Sequence, residues 1–364
     1  MHVSELDTPA VVVDSGILDT NLREMAAYCA GHGLRLRPHI KTHKIPEIAR
    51  MQIASGARGI TAAKLGEAEL MAREGFDDIM IAYPLVGAAK LRRLADLSRT
   101  ANITVSIDSA EAAEGISQAA RSAGTRIALL AEMDAGFRRC GVQTPAELVS
   151  LAQVMTRLPN VDFLGFMFYP GQIRTAPGDQ LKLLEGIDLR LKEAQDQLFR
   201  SGIELRVVSG GSTPTAFQSH HMKTLTEIRP GTYVFNDMNT ASIGVTDLSR
   251  CALTVHTTVV SVAVKGRVIL DAGSKTFSSD PLRDATGRGF GYLLDHPEAV
   301  LESLSEEHGH LNVELSPYQF TLGERLRVVP NHACATVNMQ NEIWRVSEDE
   351  VVDHWKVAGR GLVR

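Results

Sequence analysis

Residues 104–134, TVSIDSAEAAEGISQAARSAGTRIALLAEMD, contain the pattern that decides the fold of this chain. An apolar run at 104–108 is followed by an amphipathic stretch at 110–123 and by a second apolar run at 127–134. In the middle stretch, apolar residues recur at three- and four-residue spacing, as in a helix that covers a sheet. The pattern therefore predicts a strand–helix–strand unit with parallel strands.

The same alternation extends from about residue 35 to residue 237. Eight strands alternating with helices favour an α/β fold, a closed (β/α)8 TIM-type barrel. An open doubly wound sheet usually has about five or six strands and a GxGxxG loop after the first strand, which this chain lacks. The predicted strands lie at 35–41, 60–64, 79–84, 104–108, 127–134, 163–170, 205–212 and 227–237. The predicted helices include 64–74, 88–101, 110–123, 144–157 and 180–201.

The pattern changes after about residue 242, where few helical stretches separate the apolar runs. Short strands bounded by Gly, Asn, Asp and Pro predict an all-β C-terminal domain. The early strand at 10–14 is expected to pair with that domain. We predict a barrel at 15–245 and a β domain at 246–364, which includes residues 1–14. The predicted strands of this domain lie at 251–265, 267–272, 310–315, 326–337, 342–347 and 350–357.

Composition and charge exclude several classes of protein. The net charge of −5 argues against nucleic acid or an anionic membrane as the main partner. The N-terminus lacks the pattern of a signal peptide, and no apolar run approaches the roughly 18 residues of a membrane-spanning helix. We therefore expect a soluble, cytoplasmic protein. Its four cysteines form no CxxC pair, which suits a reducing compartment; they are Cys29, Cys140, Cys251 and Cys334.

The segment 36–44, LRPHIKTHK, contains the first candidate catalytic residue. A lysine at the C-terminal end of a barrel strand can point into the barrel mouth and hold a carbonyl cofactor as a Schiff base, which suggests Lys41. The alternative is a solvated, basic tip of an edge strand. Lys44 is expected to be a cation of the following loop or early helix. His39 and His43 either line the mouth or satisfy backbone groups, and the sequence does not decide between these roles.

The loop at 209–215, SGGSTPT, follows the predicted seventh strand, where barrels often bind phosphate. Gly210 and Gly211 allow close approach to the backbone, and the N–H groups with the hydroxyls of Ser212 and Thr213 can hold a phosphate. A plain turn is the alternative. A phosphate anchor together with a single strand-end lysine is what pyridoxal 5′-phosphate requires.

The segment 330–336, PNHACAT, contains a candidate metal site in the β domain. Residues i and i+2 of a strand face the same side, so His332 and Cys334 are expected to bind one metal together. Imidazole and thiolate suit Zn²⁺ best, and two protein ligands leave positions for water and substrate. The alternative is a buried cysteine beside a hydrogen-bonded histidine.

Four motifs occur in order along the chain: RPHIKTHK at 37–44, GGSTPT at 210–215, RPGTY at 229–233 and HAC at 332–334. Together they resemble the D-serine dehydratase / D-threonine aldolase family, whose members are alanine-racemase-like (fold type III) pyridoxal phosphate enzymes. The resemblance implies that Lys41 is the Schiff-base lysine, that Arg139 lies near the cofactor ring, and that His332 and Cys334 hold the metal against the β-oxygen of the substrate. It also implies a homodimer. The expected cofactor-binding residues are His39, Lys41, Arg139, Tyr169, Gly210, Gly211, Ser212, Thr213 and Tyr233.

The resemblance implies a lyase that acts on D-β-hydroxy-α-amino acids and requires pyridoxal phosphate and a divalent metal, Zn²⁺ rather than Mn²⁺. We favour a D-serine dehydratase-like ammonia-lyase, because the HxC pair goes with dehydratases and HxD more often with D-threonine aldolases. Retro-aldol cleavage to glycine and an aldehyde is the alternative. Two further alternatives are an amino-acid racemase, which needs no metal, and a non-catalytic cofactor carrier, although such carriers lack the β domain. Tyr169 either contacts the cofactor or packs as a barrel aromatic.

Overall fold

The computed structural model describes residues 1–282 and 289–364. Two compact units make up the chain, and neither is one continuous stretch. The β unit comprises Met1–Glu24, Thr42–Glu47 and Thr232–Arg360. The barrel unit comprises Met25–Lys41, Ile48–Gly231 and Gly361–Arg364.

The helices and strands of the described residues are numbered in chain order. The strands are β1 (Ala10–Asp14), β2 (Arg35–Leu36), β3 (Ile60–Ala62), β4 (Asp78–Ile81), β5 (Asn102–Ile107), β6 (Ile127–Glu132), β7 (Val161–Met167), β8 (Val207–Gly210), β9 (Glu227–Ile228), β10 (Leu253–Val264), β11 (Arg267–Leu270), β12 (Gly291–Leu293), β13 (Val300–Leu304), β14 (Gly309–Asn312), β15 (Arg325–Pro330), β16 (Glu342–Ser347) and β17 (Glu350–Lys356). The helices are α1 (Ser15–Gly31), α2 (Pro46–Ala54), α3 (Leu65–Arg73), α4 (Ala88–Leu97), α5 (Ala110–Ala123), α6 (Pro145–Arg157), α7 (Pro177–Arg200), α8 (Met238–Ala241), α9 (Ser274–Phe277) and α10 (Ala333–Met339).

The barrel unit contains an eight-stranded parallel sheet in the order β2-β9-β8-β7-β6-β5-β4-β3. A parallel bridge between His39 and Thr61 joins the strands at the two ends of this order, so the sheet closes on itself. Short connections and helices alternate with the strands. The predicted (β/α)8 barrel with a following β domain is confirmed.

Local signals in the sequence start and stop the barrel helices. Ser109 caps α5 by accepting a hydrogen bond from the N–H of Ala112, and Gly124 ends the helix with a left-handed φ of 70°. Thr144 and Glu147 form a capping box at the start of α6, with a proline in its first turn. These signals explain why the helices near 110–123 and 144–157 lie where the sequence predicts them.

The β unit is built on a nine-stranded sheet in which β13-β14-β11-β10-β1-β16-β17 form one path and β15 pairs with β10 and β12. The early strand β1 lies antiparallel to β10 and parallel to β16, which confirms the expected pairing of residues 10–14 with this unit. Within the part of the chain that the structure describes, no helix is long and apolar enough to cross a lipid bilayer.

Three of the predicted strands extend furthest beyond the observed ones, and in each a proline lies at or soon after the observed end. The strand predicted at 35–41 is confined to β2, because Pro38 has no N–H to donate to a neighbouring strand. The strand predicted at 227–237 is confined to β9, which ends before Pro230. The strand predicted at 326–337 ends at Pro330, and α10 follows it.

Candidate active site

Lys41 is not on a strand, contrary to the prediction, but on a 3-10 turn, Ile40–Thr42, beyond the end of β2. Its side chain is exposed, whereas the neighbours Ile40 and Thr42 are almost completely buried. The backbone is therefore fixed while the amine is accessible. The other candidate, Lys44, is buried, and its Nζ donates a hydrogen bond to Oδ1 of Asn338 at 2.6 Å.

His39 lies at the C-terminal end of the barrel strands, among cationic side chains. The backbone N–H of His39 donates a hydrogen bond to the carbonyl of Pro230 at 2.9 Å. Burial, and then the positive charges of Lys41, Arg229 and Arg139, hold the pKa of His39 well below its usual value. A neutral imidazole among three cations results. His43, in contrast, accepts a hydrogen bond at Nδ1 from the backbone N–H of Ile45 at 3.1 Å.

Arg139 and Tyr169 lie next to each other at the ends of β6 and β7. The Arg139 guanidinium lies 4.8 Å from the centre of the Tyr169 ring and 5.4 Å from that of Phe137. The two rings meet edge to face, with centres 5.4 Å apart. Two residues that were predicted from separate parts of the sequence therefore form one cation–aromatic cluster.

The glycine loop follows β8, and β9 separates β8 from β2 in the sheet. Gly210, Gly211 and Ser212 are buried, and Gly211 has a φ of +85° that favours glycine. Within residues 1–282 and 289–364, no hydrogen bond engages the backbone N–H of Gly211 or Ser212. Thr213 Oγ1 accepts the Gly231 N–H at 3.2 Å. The backbone N–H groups of Gly211 and Ser212, in a tight turn that contains two glycines, are suited to bind an anionic phosphate.

Gly210 has no room for a side chain, so we expect Gly210→Ala to destabilise the protein. An added Cβ would lie 2.2 Å from Cε1 of Phe168. Overpacking of this kind costs about 1–3 kcal/mol. Gly186→Ala is the control: it lies in α7 with no atom within 4 Å of an added Cβ, so the change should stabilise by about 1 kcal/mol. Denaturant unfolding midpoints of both variants test this, and a Gly210→Ala protein as stable as its parent would contradict it.

Two buried charged residues in the barrel were not predicted as site residues. Arg229 donates to Ser209 Oγ at 2.6 Å and to the carbonyl of Phe168 at 3.0 Å, and burial lowers its pKa to about 10. Burial raises the pKa of Glu132, whose carboxylate accepts a hydrogen bond from Ser106. The sequence signal that could have identified them is a charged residue at a buried strand: Glu132 is the last residue of β6, and Arg229 directly follows β9.

The candidate metal ligands lie at the start of a helix, so the prediction that they share a strand face is wrong. His332 is the N-cap residue of α10, and Cys334 lies in its first turn. Their side chains still form a hydrogen bond. The backbone of His332 itself is non-helical, with φ −139° and ψ 95°. Pro330 ends the preceding strand and so produces this geometry.

Oxygen-bearing side chains surround this pair. Cys334 Sγ donates to Thr42 Oγ1 at 3.2 Å, and Thr232 Oγ1 lies 3.6 Å from the same sulfur. The Nδ1 atom of His332 lies 2.5 Å from Oδ2 of Asp280. Neither Thr42 nor Asp280 was among the predicted site residues.

His332 and Cys334 shift each other's pKa in opposite directions. Burial lowers the pKa of His332, but the hydrogen bonds to Cys334 and Asp280 outweigh it and raise this pKa to about 9. Burial raises the pKa of Cys334, yet the imidazole of His332 brings it below its usual value. An oriented imidazole and a thiolate are suitable donors for Zn²⁺. Among the described residues, no group of three or more His, Cys, Asp or Glu side chains is arranged to hold a metal.

Comparisons with known proteins identify the family. Residues 13–238 match the alanine racemase N-terminal domain, and residues 252–346 match a serine dehydratase domain. The chain is 35% identical to the D-threonine aldolase of an Arthrobacter species, over 100% of this chain and 95% of that protein. The chain belongs to the D-serine dehydratase / D-threonine aldolase family. It is therefore an enzyme of the pyridoxal phosphate-dependent lyase class.

Solved structures of this family are similar along the whole chain. The D-threonine aldolase of Filomicrobium marinum has 30% identity and a TM-score of 0.92, covering 99% of this chain and 98% of that one. The D-threo-3-hydroxyaspartate dehydratase of Delftia sp. HT23 has 32% identity and a TM-score of 0.91, covering 98% of each chain. A cysteine-to-alanine mutant of D-threo-3-hydroxyaspartate dehydratase was solved in a metal-free form. The family thus contains lyases of both reaction types.

Proposed function

We propose that this protein is a pyridoxal phosphate- and metal-dependent lyase of D-β-hydroxy-α-amino acids that releases ammonia and a 2-keto acid. The observation that carries the proposal is the hydrogen-bonded pair of His332 and Cys334 at the start of α10. A thiolate beside an oriented imidazole is a donor set for zinc, and a bound Lewis acid can polarise a β-hydroxyl group.

The barrel unit would supply the cofactor site. When bound, pyridoxal phosphate acts as an electron sink that weakens the bonds at the substrate Cα. Lys41 would hold it covalently, and the N–H groups of Gly211 and Ser212 would bind its phosphate. Arg139, stacked on Tyr169, supplies a positive charge near this site.

Proton transfer at Cα would be the second task of Lys41, because its amine is accessible and an unprotonated amine can accept a proton. His39 stays neutral among the neighbouring cations and so adds no further positive charge beside that amine. Tyr233 is buried in the 3-10 turn Thr232–Val234 of the β unit. Its expected contact with the cofactor remains a prediction.

Retro-aldol cleavage is the second candidate function, and the similarity to D-threonine aldolases favours it. In that reaction the β-hydroxyl loses its proton and the Cα–Cβ bond breaks. In dehydration the Cα–H bond and the Cβ–O bond break instead. Cys334 as a thiolate ligand would favour zinc over manganese, and zinc would supply Lewis acidity at the β-oxygen, which supports dehydration.

We expect D-serine to give pyruvate and ammonia, and D-threonine to give 2-oxobutanoate and ammonia, while the L-isomers are inert. Separate incubations scored for ammonia, keto acid, glycine and acetaldehyde test this. The Cys334→Asp variant supplies a carboxylate at the same position and should shift the products of D-threonine toward glycine. Glycine and acetaldehyde without ammonia from the parent protein would establish the aldolase reaction and reject the dehydratase.

We also propose that the enzyme works in the cytoplasm as a homodimer. Its four cysteines are all free thiols, which suits a reducing compartment, and this supports the location. The dimer rests on the family resemblance alone. Its native mass in solution tests it.

A further inference from the structure

The imidazole of His332 has two side-chain partners of different chemistry, a carboxylate and a thiol. Its Nδ1 lies 2.5 Å from Oδ2 of Asp280, and its remaining side-chain partner is the thiol of Cys334. A histidine that binds a metal through one nitrogen usually donates the other N–H to a carboxylate or carbonyl group. The contact with Asp280 has this form, although it comes from 52 residues away in the sequence.

The chain holds the Asp280 carboxylate in place through a short segment that follows α9. Ser278 has a left-handed φ of 69°, and its Oγ accepts the N–H of Asp280 at 3.2 Å. Asn331 Nδ2 donates to the Asp280 carbonyl at 3.2 Å, and Thr336 Oγ1 donates to the carbonyl of Phe277 at 3.3 Å. The segment is therefore attached to the start of α10 on either side of the His332 contact.

A second carboxylate near His332 has another task. Asp237 Oδ2 accepts the N–H of Ala333 at 3.0 Å, and its Oδ1 accepts the N–H of Thr240 at 3.1 Å. Both oxygens are thus used to cap helix starts. Among the described residues, Asp280 is the carboxylate that contacts the imidazole itself, at Nδ1.

We propose that Asp280 is a positioning residue of the metal site, which accepts the Nδ1 proton of His332 and so directs the lone pair of Nε2 to a metal shared with Cys334. The inference rests on the proposed metal-dependent function and deepens it. Fixing the tautomer raises the basicity of the ligating nitrogen and removes the cost of orienting the ring on binding.

The zinc affinity of the full-length protein tests this without any activity measurement. We expect Asp280→Asn to raise the zinc Kd by about 10–100-fold, measured by competition with a chromogenic chelator. The substitution keeps the size of the side chain and removes its charge. The Asp280 side chain is 37% exposed, so the variant should fold, and its unfolding midpoint checks this.

Thr336→Val is the matched control, because it removes the hydroxyl that donates to the backbone carbonyls of Phe277 and His332 and leaves the carboxylate–imidazole contact intact. Its zinc Kd should stay within about threefold of the parent value, well below the effect expected for a lost carboxylate partner. Equal weakening by both variants would show that Asp280 acts only by holding the segment, and would overturn the proposal.

A measurement on the parent protein needs no variant. With ¹⁵N-labelled histidine, zinc should leave the proton of His332 on Nδ1 and shift the resonance of Nε2. Zinc bound at Nδ1, or an Asp280→Asn protein with parent-like affinity, overturns the role of Asp280 while the metal-dependent function stands. A parent protein that binds no zinc overturns both.

Discussion

Lys41→Ala should remove the visible absorbance of the bound cofactor and reduce lyase turnover by about 10³-fold or more. The residue would supply the covalent attachment and the base at Cα, and no other amine of the 36–44 segment is accessible in its place. Absorbance spectroscopy of the purified protein measures the first effect, and initial rates with D-serine measure the second.

The control for this variant is Lys44→Met, which keeps the apolar stem of the side chain. Because the Nζ of Lys44 is held by Asn338, its removal should leave the cofactor spectrum unchanged. Reduction with borohydride followed by peptide mapping identifies the labelled lysine. A label on Lys44 instead of Lys41 would refute the assignment.

Removal of the metal should abolish turnover of D-β-hydroxy amino acids and leave the cofactor absorbance in place. The reason is that the proposed metal donors lie at the start of α10, whereas the cofactor would be attached at Lys41. Treatment with a chelator, followed by re-addition of zinc, should remove and then restore the activity. Cys334→Ala should reproduce the loss, with zinc affinity lower by about 100-fold or more, since a direct ligand matters at least as much as its supporting partner.

Cys29→Ala is the control for loss of a thiol. Burial in α1 raises the pKa of Cys29 to about 12, so this thiol stays protonated and is a poor metal donor. The variant should keep its metal and its activity. Full turnover in metal-free parent protein would exclude the proposed role of the metal.

The barrel was predictable because its signals are local. Strand and helix periodicity repeats along residues 35–231, and caps such as Ser109 and Thr144 mark the helix starts. The strand ends were less predictable, since apolar residues continue beyond the prolines at 38, 230 and 330. The motif at 332–334 was found by residue type, although its backbone is helical rather than extended.

The partners of the candidate metal ligands could not be predicted from the sequence. Asp280 is 52 residues from His332, and Thr42 is 292 residues from Cys334. No periodicity or spacing relates residues so far apart, because their contacts depend on how the β unit folds. The residues that flank Asp280 and Thr42 in the sequence do not indicate these contacts.

The discontinuous course of the chain limits how enzymes of this family can be recombined. Residues Thr42–Glu47 belong to the β unit although they directly follow Lys41. A chimera that exchanges only the C-terminal part, from residue 232 onward, would place a foreign α10, with its proposed metal ligands, beside the resident Thr42, the hydrogen-bond partner of Cys334. A chimera designed to transfer metal preference between relatives should therefore exchange residues 42–47 together with the C-terminal part. Crossover points chosen from continuous domain boundaries would separate Thr42 from its hydrogen-bond partner Cys334.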